Sequence, residues 1–247
     1  MSKTDAYPET DEDPLTRALG YPYPTHPEDY LFTGARAEPL PADFTFEGLT
    51  PVIAVGSNRS PRQLERKFAP RYMNGPVRIA VTRIKARDVD VVFAAHLAGY
   101  GSAPATLAKS PGALTELWVT WLDRPALDRM DATEGLGVHY DRVSISLDVT
   151  SVDPTRPTPK TMLLYAARCG VLTRDGSPVA VAEIPSEGRS FPVMSQIEML
   201  QHLHNRHRFN EDHGFEEWLL GLIGTKGDKA RDAVEAKIIA EALPMRF

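Results

Sequence analysis

Between residues 51 and 167 the chain runs through a succession of strand-like segments with few helices between them. Val52-Ile-Ala-Val55 is a short apolar run rich in β-branched residues, the pattern of a buried strand. Strand-like stretches follow at 77–84, 89–96, 114–121 and 161–167. At 143–149, Val143, Ile145, Leu147 and Val149 alternate with Ser144, Ser146 and Asp148, the period of a half-buried strand. Helical patterns interrupt this series only at 61–68 and 123–134. A doubly wound parallel sheet needs a crossover helix between successive strands, so that class is excluded. The expectation is an α+β fold with a strongly curved or barrel-like sheet and peripheral helices, followed by C-terminal helices at 195–206, 215–223 and 228–243.

Proline marks off the first part of the chain. Seven of the 21 prolines fall in the first 50 residues, together with ten acids and three bases, a local charge of −7. Such a segment cannot sustain long helices or strands. Its aromatic residues, including Tyr21, Tyr23, Tyr30 and Phe32, predict a disordered first dozen residues and then an irregular arm wrapped onto the core. The sequence divides into an acidic arm at 1–48, a main domain at 49–190 and a helical extension at 191–247. The middle of the chain, 51–190, holds 14 acids and 18 bases and is mildly basic. A single cysteine, Cys169, excludes an intramolecular disulfide and a thiolate-rich zinc site. No run reaches the ~18 apolar residues of a membrane span. The polar start, Met1-Ser-Lys-Thr-Asp, lacks the apolar centre of a signal peptide, so a cytoplasmic protein without a membrane partner is expected.

Two local patterns carry chemistry. Val55-Gly56-Ser57-Asn58 joins the buried strand to a helix opened by Ser60-Pro61, with Ser60 at the cap and Gln63 placed for a capping box. Gly56 permits close backbone approach, the turn presents N–H groups, and Ser57 and Asn58 add polar side chains, a suitable cradle for a carboxylate. The second pattern is 127–135. Leu127, Met130 and Glu134 share one helix face by their spacing. If Leu127 and Met130 face the core, Glu134 points inward at the end of the helix, where a carboxylate can serve as general base or acid.

These residues resemble a known family. Gly56-Ser57-Asn58 between strand and helix, Ser110-Pro111-Gly112 ahead of the Trp118/Trp121 strand, Leu127-Asp128, Glu134-Gly135 and then Tyr140-Asp141-Arg142 are similar, in order and spacing over roughly 50–168, to the gamma-glutamyl cyclotransferase family, in whose pattern Ser-Pro-Gly is a turn. The resemblance implies a small mixed β-barrel flanked by helices. It also implies cofactor-independent cleavage of a gamma-glutamyl amide: the substrate's α-amine attacks its own γ-carbonyl, releasing 5-oxoproline and a free amine. Glu134 matches the family's catalytic Glu, base and then acid, and Val55, Gly56, Ser57 and Asn58 would hold the glutamyl end. No metal or organic cofactor is implied. Two features depart from the pattern: Val55 stands where the family usually has Tyr, and its later substrate-side motif has only Phe191-Pro-Val-Met-Ser195 as a weak candidate. A degenerate member that binds a small ligand or partner without chemistry is therefore the alternative.

Other constellations point away from function. His202, His204, His207 and His213 gather near Glu198, Glu211 and Asp212, but 202, 204 and 207 do not converge on one helix face, so a solvated or pairing surface is expected. Residues 59–87 carry nine Arg or Lys against Glu65 alone. Only Phe68 and Tyr72 lie among them, too few to interleave with them for base stacking, so the expectation is a solvated face covered by the acidic arm, without a nucleic-acid partner. Trp118 and Trp121, an odd number apart, should face opposite sides of their strand. The sequence leaves the oligomeric state open.

Overall fold

The computed structural model describes residues 12–208 and 212–245. Apart from Glu12, the dozen residues expected to be disordered lie outside the described ones. The arm contributes α1 (Pro14–Leu19), β1 (Tyr30–Phe32) and β2 (Ala37–Pro39). After these come β3 (Thr50–Ala54), α2 (Pro61–Phe68), β4 (Ile79–Phe93), β5 (Ala105–Leu122), α3 (Arg124–Thr133), β6 (Tyr140–Ile145), β7 (Val149–Ser151) and β8 (Met162–Ala167). Two-residue strands follow: β9 (Thr173–Arg174), β10 (Ser177–Pro178), β11 (Ala180–Val181), β12 (Ser186–Glu187) and β13 (Val193–Met194). The chain closes with α4 (Gln196–His207), α5 (Phe215–Leu220) and α6 (Asp228–Glu241).

The fold is α+β, built on the antiparallel pair β4–β5. The main sheet runs β13-β11-β4-β5-β3-β8-β6, with β3–β8 and β11–β13 parallel and the other pairs antiparallel. Among the described residues no pairing joins β6 to β13. The sheet is open, and the closed barrel expected from the sequence is not found. One physical reason lies in β4, whose second edge is already taken by β1 at Ile79–Val81, β7 at Ile84–Ala86 and β11 at Val92.

Side-chain alternation divides the core between two clusters. On β5, Leu117, Val119 and Trp121 join one cluster while Trp118 and Leu122 join the other, as the odd spacing of the tryptophans predicts. The Trp118 cluster receives Leu64 and Phe68 of α2 and Leu127 and Met130 of α3. The opposite cluster receives Tyr21 and Tyr23 of the arm, Leu200 of α4, Trp218 and Leu219 of α5, and Ile238 of α6. The arm is thus packed on the protein, with Tyr30 and Phe32 buried against the face that α2 and α3 cover.

Three expectations need correction. The stretches 77–84 and 89–96 form one strand, β4, crossed by a bulge. Ser110-Pro111-Gly112 is no turn between elements, because β5 runs through it. Arg87 pairs with Leu114 and Val89 with Lys109, so 110–113 stand opposite Asp88 alone. Asp88 and Gly112 both take positive φ, 58° and 84°, and Asp88 Oδ1 accepts a hydrogen bond from the Gly112 N–H at 2.8 Å, which pins the bulge. Finally, 143–149 is not one strand: β6 ends at Ile145, and β7 leaves β8 to pair with β4.

Candidate functional site

The two chemical patterns meet. Asp123 caps α3, accepting from the Ala126 N–H at 2.8 Å, and Leu127 and Met130 are buried in the core, as their spacing requires. The helix ends at Thr133, with Glu134 at its C-cap and Gly135 turning away at φ 60°. The Glu134 carboxylate accepts a hydrogen bond at Oε1 from Asn58 Nδ2, 2.8 Å away across 76 residues of sequence. Lys67 Nζ, from α2, donates to the same Oε1. Oε2 accepts no hydrogen bond from any described residue, and the Glu134 side chain is 12% exposed. One oxygen is anchored and the other is available.

Lys67 is the member of this cluster that the sequence reading missed. Its side chain is 2% exposed, although it sits in the stretch expected to form a solvated basic face. Arg59 and Arg66 are buried there too. The signal was present: Leu64, Lys67 and Phe68 fall at i, i+3 and i+4, so Lys67 shares the core face of α2. Burial draws the Lys67 ammonium below the usual lysine range, and the Glu134 charge opposes that shift. The acidic arm does cover part of the basic stretch, since Glu12 pairs with Arg62 at 2.6 Å and also with Arg66.

Of the cradle residues, Val55 and Ser57 are largely buried, Val55 in the arm-facing cluster. Ser57 starts a single 3-10 turn, Ser57–Arg59, that leads into α2. The backbone N–H groups of Gly56, Ser57 and Asn58 find no acceptor among the described residues. Ser60 does stand at the N-cap of α2 with Pro61 after it, but the expected capping box is absent. The Ser60 hydroxyl donates instead to the Pro24 carbonyl of the arm at 2.7 Å, and Gln63 accepts from Arg66.

The arm reaches the cradle through Tyr21. The Ala105 N–H donates to the Tyr21 hydroxyl at 2.8 Å, and a Cβ on Gly56 would collide with that hydroxyl oxygen. Gly56 is therefore fixed first by the approach of the Tyr21 phenol. Burial pushes the phenol well above the usual tyrosine range, and Glu134 adds to the shift. Tyr140, at the start of β6, points its hydroxyl at the Ala105 carbonyl, 3.4 Å away. Tyr140 also packs edge-on to His96, which stacks on His139 with centroids 4.5 Å apart. Burial, with a smaller contribution from His139, holds His96 well below the usual histidine range. Tyr165 donates to Asp131 at 2.7 Å, and Arg142 pairs with the same carboxylate.

The remaining constellations stay apart from this cluster. Among the described residues no group of three His, Cys, Asp or Glu side chains could hold a metal; Glu211 lies outside them. Of the expected solvated or pairing surface, the pairing part holds, with His207 3.7 Å from Glu241 and His213 3.4 Å from Glu217, but His204 and His207 are buried, His204 against Trp218. Ser195 caps α4 in a capping box with Glu198. An open groove of about 760 Å³ lies elsewhere, lined by residues such as Arg174, His202, Arg206 and Glu241. Arg206 and Glu241 there neutralise each other at 2.6 Å. No described helix is long and apolar enough to cross a membrane.

No family model matches the sequence, and no curated protein matches it. Among solved structures the chain is similar to an uncharacterized human protein, loc79017, with a TM-score of 0.38 and 16% identity, covering 76% of this chain and 99% of that one.

Proposed function

We propose that the protein cleaves a gamma-glutamyl amide by intramolecular cyclisation, as a cofactor-independent relative of the gamma-glutamyl cyclotransferases. The observation that carries this reading is the Asn58–Glu134 hydrogen bond, which unites the turn expected to hold the glutamyl group with the carboxylate expected to move the proton. The substrate's α-amine attacks its γ-carbonyl carbon, closing a five-membered ring. Glu134 Oε2 takes the proton the amine loses. The bond to the departing nitrogen then breaks, and Oε2 delivers that proton to it. The products are 5-oxoproline and a free amine. The N–H groups of Gly56, Ser57 and Asn58 receive the substrate's α-carboxylate, and Val55 forms one wall. On this reading the open sheet stands in for the family's small barrel, and the protein acts in the cytoplasm on a small molecule.

The test is 5-oxoproline release from a panel of gamma-glutamyl amides by wild type and Glu134→Gln. Wild-type turnover, lost by a factor of about 10³ or more in the variant while binding persists, is expected. A wild type that releases none from any amide refutes the reading. One observation favours a second reading, a ligand-binding module without chemistry: the Tyr21 phenol fills the space beside Gly56 that a close substrate approach would use. Recovery of an intact bound amide from the wild type supports it.

A further inference from the structure

Lys67 has no evident structural excuse. An ammonium drawn from water costs several kcal/mol even when well paired, and an apolar side chain often serves as well in such a place. Lys67 stands on the core face of α2, 2% exposed, with Met130 Sδ 3.4 Å from its nitrogen. Its hydrogen bond goes to the oxygen of Glu134 that Asn58 also holds.

We propose that Lys67 is the positioning residue of the proton shuttle, an inference that rests on the cyclotransferase reading: by sharing Oε1 with Asn58 it leaves Oε2 as the oxygen that accepts the proton, and it makes the protonated carboxyl a transient state. Before reaction the Lys67–Glu134 pair is neutral overall. When Oε2 takes the proton from the attacking amine, the pair becomes cationic and the buried ammonium faces a neutral carboxyl. That state is relieved when the proton passes to the departing nitrogen. Lys67 keeps its own protons throughout and touches no substrate atom. The other groups facing Glu134 do not replace it. Asn58 is neutral, and the phenols of Tyr21, from the arm, and Tyr165, from β8, are pushed above their usual range chiefly by burial. Asp131, on α3, is committed to Tyr165 and Arg142. Arg129 bonds to the Lys67 carbonyl.

The experiment compares Lys67→Met and Lys67→Arg with wild type in two ways. In turnover, Lys67→Met should move the acid limb of log kcat against pH upward by about one unit, a tenfold loss at a pH on that limb. Its KM should stay within about twofold, and Lys67→Arg should retain the wild-type limb. A merely structural role would lower activity at all pH values alike. In the ligand-free protein, carbon-13 NMR of the Glu134 carboxyl should show the same upward displacement of its titration in Lys67→Met. An unmoved titration overturns the proposal. If wild type makes no 5-oxoproline, the cyclotransferase reading fails, while the NMR titration still decides whether Lys67 controls Glu134. Should Lys67→Met not fold, Glu134→Gln replaces it: Lys67 Nζ, followed by nitrogen-15 NMR, should lose its proton at lower pH than in wild type. An unchanged midpoint there is equally fatal.

Discussion

Gly56→Ala tests how the arm and the cradle are joined, whatever the reaction proves to be. The added methyl would meet the Tyr21 hydroxyl oxygen head-on, with Tyr21 Cζ 3.0 Å away and the Ala105 Cβ at 3.6 Å. Tyr21 is 4% exposed and cannot swing into water without opening the core. Two costs follow. Forcing a methyl into a filled space costs about 1–3 kcal/mol. Displacing the phenol strips the buried Ala105 N–H of its acceptor, a further ~1–3 kcal/mol. The sum is about 2–6 kcal/mol, readable as a drop in urea midpoint at constant m. Tyr21→Phe alone should cost only the second part. Because its ring lacks the colliding oxygen, the double variant Tyr21→Phe/Gly56→Ala should be more stable than the sum of the two singles predicts, by about 1 kcal/mol or more. Additive losses, or a Gly56→Ala cost under about 0.5 kcal/mol, would refute the account of Gly56 as the seat of the Tyr21 hydroxyl.

Two further outcomes concern stability. His96 is buried and held well below the usual histidine range, so below pH ~6.5 the unfolded chain binds a proton that the folded one refuses, and stability falls as pH falls. His96→Phe should flatten the unfolding free energy between about pH 6.5 and 5 by up to ~1.4 kcal/mol per pH unit; an unchanged slope in a pH series of urea melts counts against the burial argument. Glu12→Gln leaves the nearly buried Arg66 guanidinium without its carboxylate and should cost about 1.5–3 kcal/mol, whereas removing the half-exposed partner with Arg62→Ala should cost no more than about 1 kcal/mol. Equal losses in thermal melts would mean that the arm is not held through Arg66.

Local chemistry made much of this molecule readable. The β-branched run at 52–55, Pro61 at the first turn of α2, Asp123 ahead of α3 and Gly135 behind it each mark an element through a short-range rule, and the spacing of Leu127, Met130 and Glu134 placed a carboxylate at the edge of the core. What escaped were facts settled between distant segments. Nothing near Asp88 announces that 110–113 will bulge against it, so one long strand read as two and the bulge read as a turn. Ser60 has the form of a capping residue, but the arm's Pro24 carbonyl claims its hydroxyl. Lys67 lies among arginines in a stretch that reads as solvated, and only its helical register with Leu64 and Phe68 betrays its burial. The meeting of Asn58 with Glu134 depends on α2 and α3 packing on the same face of the sheet, which neither pattern specifies by itself.

The second edge of β4 has a consequence for handling the protein. Three short segments from far apart in the chain tile it, and the arm's share, β1 on Ile79–Val81, is three residues long. Detaching the arm would leave the rest of β4 paired while baring a row of backbone donors and acceptors beside buried apolar side chains, a template onto which another chain can add. A preparation clipped ahead of residue 49 should therefore betray itself by clumping in concentrated solution. The acidic arm, in that sense, keeps neighbouring molecules off the sheet.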